Sequence, residues 1–296
     1  MLEKFYLNKE KILKKSQEFF SNSNSQIPKV GCELEFFLLE KNSLDYAPPE
    51  AVTEFILELK KFYKCEKERG VSQIEIKTDF TADLAALCRE LDDCKNHVAK
   101  LAEERNLRTS FLAQPFLDDC GSSLQFNITL HDFEDKNLFL SDEILLKNCA
   151  SSLLLATNSM MIFLAPTQED YQRFDCGINQ KLFENGNFSA PINLSFGVDN
   201  RTCAIRIPAT TKDRPTKRLE YRLAATGADP WLCISAMLLS LKCHAELNSS
   251  QIFEQIYGNA FDEQYQLKSF CKTLQEAEEN FWREENFIRK KFEEYE

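Results

Sequence analysis

Between Val30 and Leu39 the chain reads Val-Gly-Cys-Glu-Leu-Glu-Phe-Phe-Leu-Leu. Successive side chains of a strand point to opposite faces, so Glu33 and Glu35 share one face while Leu34, Phe36 and Leu38 share the other. The apolar face requires a core beneath it. The acidic face sets two carboxylates about 7 Å apart along the strand, at a rise of about 3.3 Å per residue. At neutral pH such neighbours repel unless a positive group stands between them. A divalent cation or an arginine would serve, and an edge strand with solvated glutamates is the plain alternative.

Other stretches alternate in the same way. In Val71–Lys77, Gln73, Glu75 and Lys77 share a face, with Ile74 and Ile76 behind it. In Ser123–Leu130 the polar face is Gln125, Asn127 and Thr129. In Arg218–Leu223 it is Arg218, Glu220 and Arg222. Short strands are also expected at Arg108–Ala113, Asn193–Phe196 and Cys203–Ile207. Helical spacing predicts helices over Leu2–Phe20, from Pro48–Pro49 through Phe62, over Thr81–Arg105 with Thr81 as N-cap, over Ser141–Phe163 and from Asp229 through Leu247. One or two charged amphipathic helices are expected within Phe261–Glu296. Pro166–Pro191 shows no strong period and reads as a long excursion near the site.

Eleven cysteines, an odd number without close pairs, and a start with no signal-peptide pattern point to reduced, mostly buried thiols and a cytoplasmic protein. No apolar run is long enough to span a membrane. A net charge of −11 argues against non-specific nucleic-acid binding. Three histidines make a histidine-based zinc site a poor expectation. No repeat or linker divides the 296 residues. The expectation is one domain over 1–296: a helix and polar break to 25, a core over 26–248 and C-terminal helices over 249–296. Its class is α+β, an antiparallel sheet with helices packed on one face and the active site on the other.

The site face would carry Glu33, Glu35, Gln73, Glu75, Gln125, Asn127, Arg206, Arg218, Glu220 and Arg222. Carboxylate-rich, histidine-poor oxygen sites suit Mg²⁺ or Mn²⁺, and arginines grip phosphates and carboxylates bidentately. Together they describe a nucleoside triphosphate site without a Walker or Rossmann glycine fingerprint. A salt-bridged sheet face, with Glu220 between Arg218 and Arg222, explains the same residues and stays open at this point.

The order of these pieces, from Gly31 to Leu241, resembles the catalytic domain of glutamine synthetase. Gly31-Cys32-Glu33-Leu34-Glu35-Phe36-Phe37 is similar to the family's first metal-binding strand. Glu68, Gln73 and Glu75 resemble its paired metal glutamates, and Gly121–Asn127 stands at its Gly-Ser-Gly-Met-His-x-His element. Pro166–Thr167, Tyr171-Gln172-Arg173, Ala190–Leu194, Asn200–Pro208, Arg218–Arg222 and Ala228–Leu232 follow in the family's order.

The resemblance implies ATP and Mg²⁺ or Mn²⁺. Glu35, Glu68 and Glu75 would hold one metal, and Glu33, Glu220 and Gln125 the other. Arg201, Arg206 and Arg218 would meet ATP phosphates, with Arg201 and Arg206 at the transferred group. Arg173 and Arg222 would meet the carboxylates of a glutamate-like substrate, and Gly121 would contact it through its backbone. The implied chemistry is activation of a γ-carboxylate as an acyl phosphate, then attack by ammonia or another amine. A degenerate relative that binds nucleotide or a partner without turnover is the alternative.

Three departures stand out. Gln125 and Asn127 replace two histidines. Ser189 stands where the family has a glutamate before Ala-Pro. Only some 30 residues precede the first metal strand, so the family's N-terminal domain is expected to be missing. These departures suit a bulkier amine, and a monomer or small homo-oligomer rather than a dodecamer.

Overall fold

The alternating segment is the axis of the sheet: Ile27–Glu40 forms a 14-residue strand, β1. The computed structural model describes residues 2–24, 26–187, 190–210 and 216–296. The remaining strands are β2 (Lys64–Lys67), β3 (Gln73–Lys77), β4 (Leu107–Ser110), β5 (Leu124–His131), β6 (Phe196–Val198), β7 (Ile205–Ile207) and β8 (Leu219–Tyr221). They pair in the order β2-β3-β1-β5-β8-β7-β6, and β4 pairs with the far end of β1. All pairings are antiparallel except β6 with β7. This is the expected α+β class.

Nine α-helices are described: α1 (Glu3–Leu7), α2 (Lys9–Asn24), α3 (Pro49–Leu59), α4 (Leu84–Glu104), α5 (Glu143–Leu164), α6 (Cys176–Glu184), α7 (Pro230–Lys242), α8 (Leu274–Phe281) and α9 (Phe287–Tyr295). Helix α7 is buried almost throughout and α5 over most of its length, which matches the lack of a polar stripe on α7. Tyr221, on the helix side of β8, bonds to Thr157 of α5 across 3.0 Å. One apolar cluster runs from Phe5 to Tyr295. Phe5 meets Phe163, Phe281 and Phe292 edge-on, so both ends of the chain close over α5. No described helix is long and apolar enough to cross a membrane. All eleven cysteines are free thiols, buried apart from Cys176 and Cys243.

Several boundaries differ from the periodicity-based expectations. Helix α4 is capped by Asp83, which accepts from the Ala86 amide, not by Thr81. Residues 168–184 are not an irregular excursion: a 3₁₀ segment, Gln168–Phe174, opens on a Thr167/Asp170 capping box and runs into α6, capped by Asp175. Strand β2 was not anticipated. Before α8, residues 261–273 hold only one short 3₁₀ turn, not a long helix.

Candidate active site

Strand register builds the site. Residues directly opposite one another in antiparallel strands project to the same face. Glu35 of β1 faces Glu75 of β3, which faces Glu66 of β2. The next row is Lys77, Glu33 and Gln125 across β3, β1 and β5. A third row is Gly31, Asn127, Glu220 and Arg206 across β1, β5, β8 and β7. Each step is about 4.8 Å. Carboxylates therefore gather toward β2 and β3, and guanidiniums toward β7 and β8. Between them opens a cavity of about 700 Å³ lined by every candidate site residue: Glu33, Glu35, Glu68, Glu75, Gly121, Gln125, Arg173, Arg201, Arg206, Arg218, Glu220 and Arg222. That is the size range of small-molecule sites.

Within the cavity the charges are internally paired. Glu35 Oε2 accepts from the Ser123 amide at 2.8 Å and its hydroxyl at 2.9 Å, and Oε1 accepts from Gln125 Nε2 at 2.6 Å. The Gln125 carbonyl in turn accepts from Arg222 at 3.1 Å. Glu220 accepts from Arg206 at 2.9 Å and Arg222 at 2.7 Å. Arg206 also reaches Asp199 at 2.7 Å, and Arg218 Nε donates to Asn127 at 2.6 Å. Arg173 donates to the Arg222 carbonyl at 3.0 Å. Gly121 is pinned through its carbonyl by Gln73 Nε2 at 3.0 Å. A Cβ there would lie 2.9 Å from the Ala113 carbonyl, so only glycine lets these backbone segments approach. Arg201 lies on the exposed turn between β6 and β7.

The electrostatics divide the carboxylates into two groups. Burial raises Glu35 to about 7, with Arg173 opposing the rise and Glu68 adding to it. Burial, then Glu33 and Glu35, raise Glu75 to about 9 despite Lys77. Burial and Glu220 raise Glu33. Glu220 differs: burial pushes it up, but Arg222 and Arg206 together outweigh burial and hold it below the usual carboxylate range. The acidic end is thus short of positive charge and the basic end is not.

This imbalance is the test of whether the residues suit a divalent cation. The donors are hard oxygens whose charged forms lack compensation, which fits Mg²⁺ or Mn²⁺. Among the described residues no three His, Cys, Asp or Glu side chains are already gathered as a metal cluster. The carboxylates are turned to Ser123, Gln125, Lys77 and the arginines, so ion binding requires those side chains to let go. The basic end is also ready for an anion. Arg173 is 3% exposed, yet its Nε and Nη1 find no hydrogen-bond partner among the described residues, and the buried Nε of Arg206 and Arg222 are likewise unbonded. Buried donors left this way carry a cost that an anionic ligand relieves.

Four participants were not singled out from the sequence: Glu66, Lys77 as a charge partner, Ser123 and Asp199. Lys77 and Ser123 belong to segments already read as strands, so register supplies their roles. Glu66 lies on a strand with no apolar alternation to reveal it. Ser189 lies outside the described residues.

Comparison with known proteins identifies the family and the fold. Residues 50–295 match the family model described as glutamine synthetase, catalytic domain. Gamma-glutamylputrescine synthetase PuuA of Escherichia coli (strain K12) is 28% identical over 201 residues, which are 67% of this chain and 40% of that protein. Glutamine synthetase of Sulfolobus acidocaldarius is 29% identical over 179 residues, 58% of this chain and 35% of that one. The chain thus spans well under half the length of these relatives. Two solved structures share the fold at 20% identity: apo GmaS, with a TM-score of 0.78 over 96% of this chain and 70% of that one, and GmaS with ADP, at 0.80 over 96% and 71%. Glu33 and Glu35 precede the matched segment, but β1 carries them into register with Glu75 and Gln125, which lie inside it. On the family match, the chain belongs to the glutamine synthetase catalytic-domain family.

Proposed function

We propose that this chain is the catalytic part of an ATP- and Mg²⁺- or Mn²⁺-dependent carboxylate–amine ligase. It activates the γ-carboxylate of a glutamate-like amino acid as an acyl phosphate for attack by an amine larger than ammonia. The observation that carries the reading is buried Arg173, with two unbonded N–H groups, in a cavity that is also lined by the carboxylates of Glu33, Glu35, Glu68 and Glu75.

In this reading Arg173 and Arg222 hold the carboxylates of the amino acid, and the Gly121 backbone fixes its depth. Arg201, Arg206 and Arg218 meet the phosphates of ATP, and Arg201 and Arg206 bear on the transferred group. Glu35, Glu68 and Glu75 would hold one divalent ion, and Glu33, Gln125 and Glu220 a second. Such ions neutralise phosphate charge and orient oxygens around the phosphorus. A γ-carboxylate oxygen forms a bond to the γ-phosphorus while the bond to ADP breaks. The amine nitrogen then forms a bond to the acyl carbon, phosphate leaves, and the amine proton passes to solvent. No protein nucleophile is needed, because positioning and charge neutralisation lower the barrier.

The preference for a larger amine rests on Ser189, which cannot accept a proton as a glutamate would, and on the name of the PuuA relative, whose product is a γ-glutamyl polyamine. A monomer or small homo-oligomer is part of the same reading. One observation favours nucleotide binding without turnover: the Gln125 amide bridges Glu35 and Arg222, so two groups needed for ligands are tied to each other.

A phosphate-release assay with ATP, Mn²⁺, glutamate and a panel running from ammonium to diamines separates the two. Release that depends on glutamate and is greatest with an alkylamine is expected. Tight ATP binding with no release for any amine would establish the binding-only reading.

A further inference from the structure

Lys77 closes β3 opposite Glu33 of β1 and Lys64 of β2. Lys64 is turned to Asp79, away from the cavity carboxylates. Lys77 is not: its Nζ lies 2.9 Å from Glu75 Oε1 and also bonds to Glu66. Its side chain is 41% exposed, so the stem runs along the sheet surface while the ammonium sits between two carboxylates and beside the row of a third, Glu33.

The surroundings explain why this matters. Five carboxylates line this end of the cavity: Glu33, Glu35, Glu66, Glu68 and Glu75. Arg206 and Arg222, one or more strands away, are committed to Glu220. A compact ammonium with three donors can bridge carboxylates on neighbouring strands much as a small cation does. It also avoids stripping water from a strongly hydrated divalent ion. A divalent ion bound through Glu75 Oε1 and Glu66 would have to displace this ammonium.

We propose that the Lys77 ammonium is a resident cation of this site, held by Glu75 Oε1 and Glu66 in the place of a divalent ion additional to the two assigned above, so that the chain binds one fewer such ion than the same sheet face would hold without it. The proposal rests on the reading that these carboxylates take divalent ions at all. Lys77 then acts as a positioning residue: it fixes Glu75 and Glu66 and sets the ion count.

The test counts Mn²⁺ per chain by equilibrium dialysis, with free Mn²⁺ read by electron paramagnetic resonance. Wild type is compared with Lys77→Met, Lys77→Gln and Lys77→Arg, each first shown to melt cooperatively. The two neutral variants differ in polarity and hydrogen bonding but both remove the charge, so either one that folds suffices. The expected result is one additional bound Mn²⁺ in Lys77→Met or Lys77→Gln, with Lys77→Arg matching wild type. Equal, non-zero counts in wild type and the neutral variants would overturn the resident-cation role and leave the metal reading standing. No bound Mn²⁺ in any of the proteins would overturn both.

Discussion

Replacing Glu220 by alanine is expected to cost the fold about 3–5 kcal/mol, the range for removing one partner of a buried ion pair. The carboxylate is 1% exposed and accepts from Arg206 at 2.9 Å and Arg222 at 2.7 Å. Truncation leaves two guanidiniums facing each other over a cavity, one of them 5% exposed. The readout is a lower urea midpoint with an unchanged slope. Glu220 is held below the ordinary carboxyl value, so its contribution is complete above that value and fades only as the pH falls through the depressed one. The comparison therefore belongs at neutral pH. Glu220→Gln, which keeps an acceptor and the volume, should lose distinctly less. A midpoint within error of wild type for Glu220→Ala would show that solvent or another acidic group already neutralises these arginines.

Arg173→Met is expected to do the opposite: little change in stability, and a large loss of function. The wild-type guanidinium is buried with Nε and Nη1 unbonded, and burial lowers its pKa to about 10 even with Glu35 nearby. Its removal takes away a buried charge with two N–H groups that lack hydrogen-bond partners. The thioether chain fills the same slot against Phe174, whose ring centre lies 5.2 Å from the guanidinium carbon. The change in unfolding free energy should stay within about 1 kcal/mol. Charge-assisted hydrogen bonds are worth about 1.5–3 kcal/mol each, so losing the grip on a substrate carboxylate should lower kcat/KM for the amino acid about 100-fold or more. A variant as unstable as Glu220→Ala, with unchanged KM, would make Arg173 structural instead.

The contrast between Glu220 and Arg173 shows what is legible in the sequence. Alternation located every long strand and the residues on its polar face, because a one-residue slip would turn the apolar set of β1 out of the core. Glu33, Glu35, Gln125 and Glu220 are therefore placed by pattern alone. Pattern does not say which groups touch. That Gln125 ties Glu35 to Arg222, and Lys77 ties Glu75 to Glu66, follows from the order β2-β3-β1-β5-β8, which no local signal carries. The three-residue strands β6 and β7 are too short to show a period, and their limits are set by their partners. The stretch over 168–184 departs from its sequence pattern for a different reason. Its Thr167–Asp170 capping box was present in the sequence, but the glycine and asparagines that follow dilute the helical period.

The central claim is that this face transfers the γ-phosphoryl group of ATP to a carboxylate before any amine arrives. Positional isotope exchange tests that step without knowledge of the amine. ATP carrying ¹⁸O in the β,γ-bridging oxygen is incubated with the protein, Mn²⁺ and glutamate. Reversible transfer frees the β-phosphate of bound ADP to rotate, and the label moves into a non-bridging β position. The account predicts scrambling that requires glutamate and disappears in Arg173→Met. Absence of scrambling in wild type, under conditions where ATP and Mn²⁺ are shown to be bound, would contradict it.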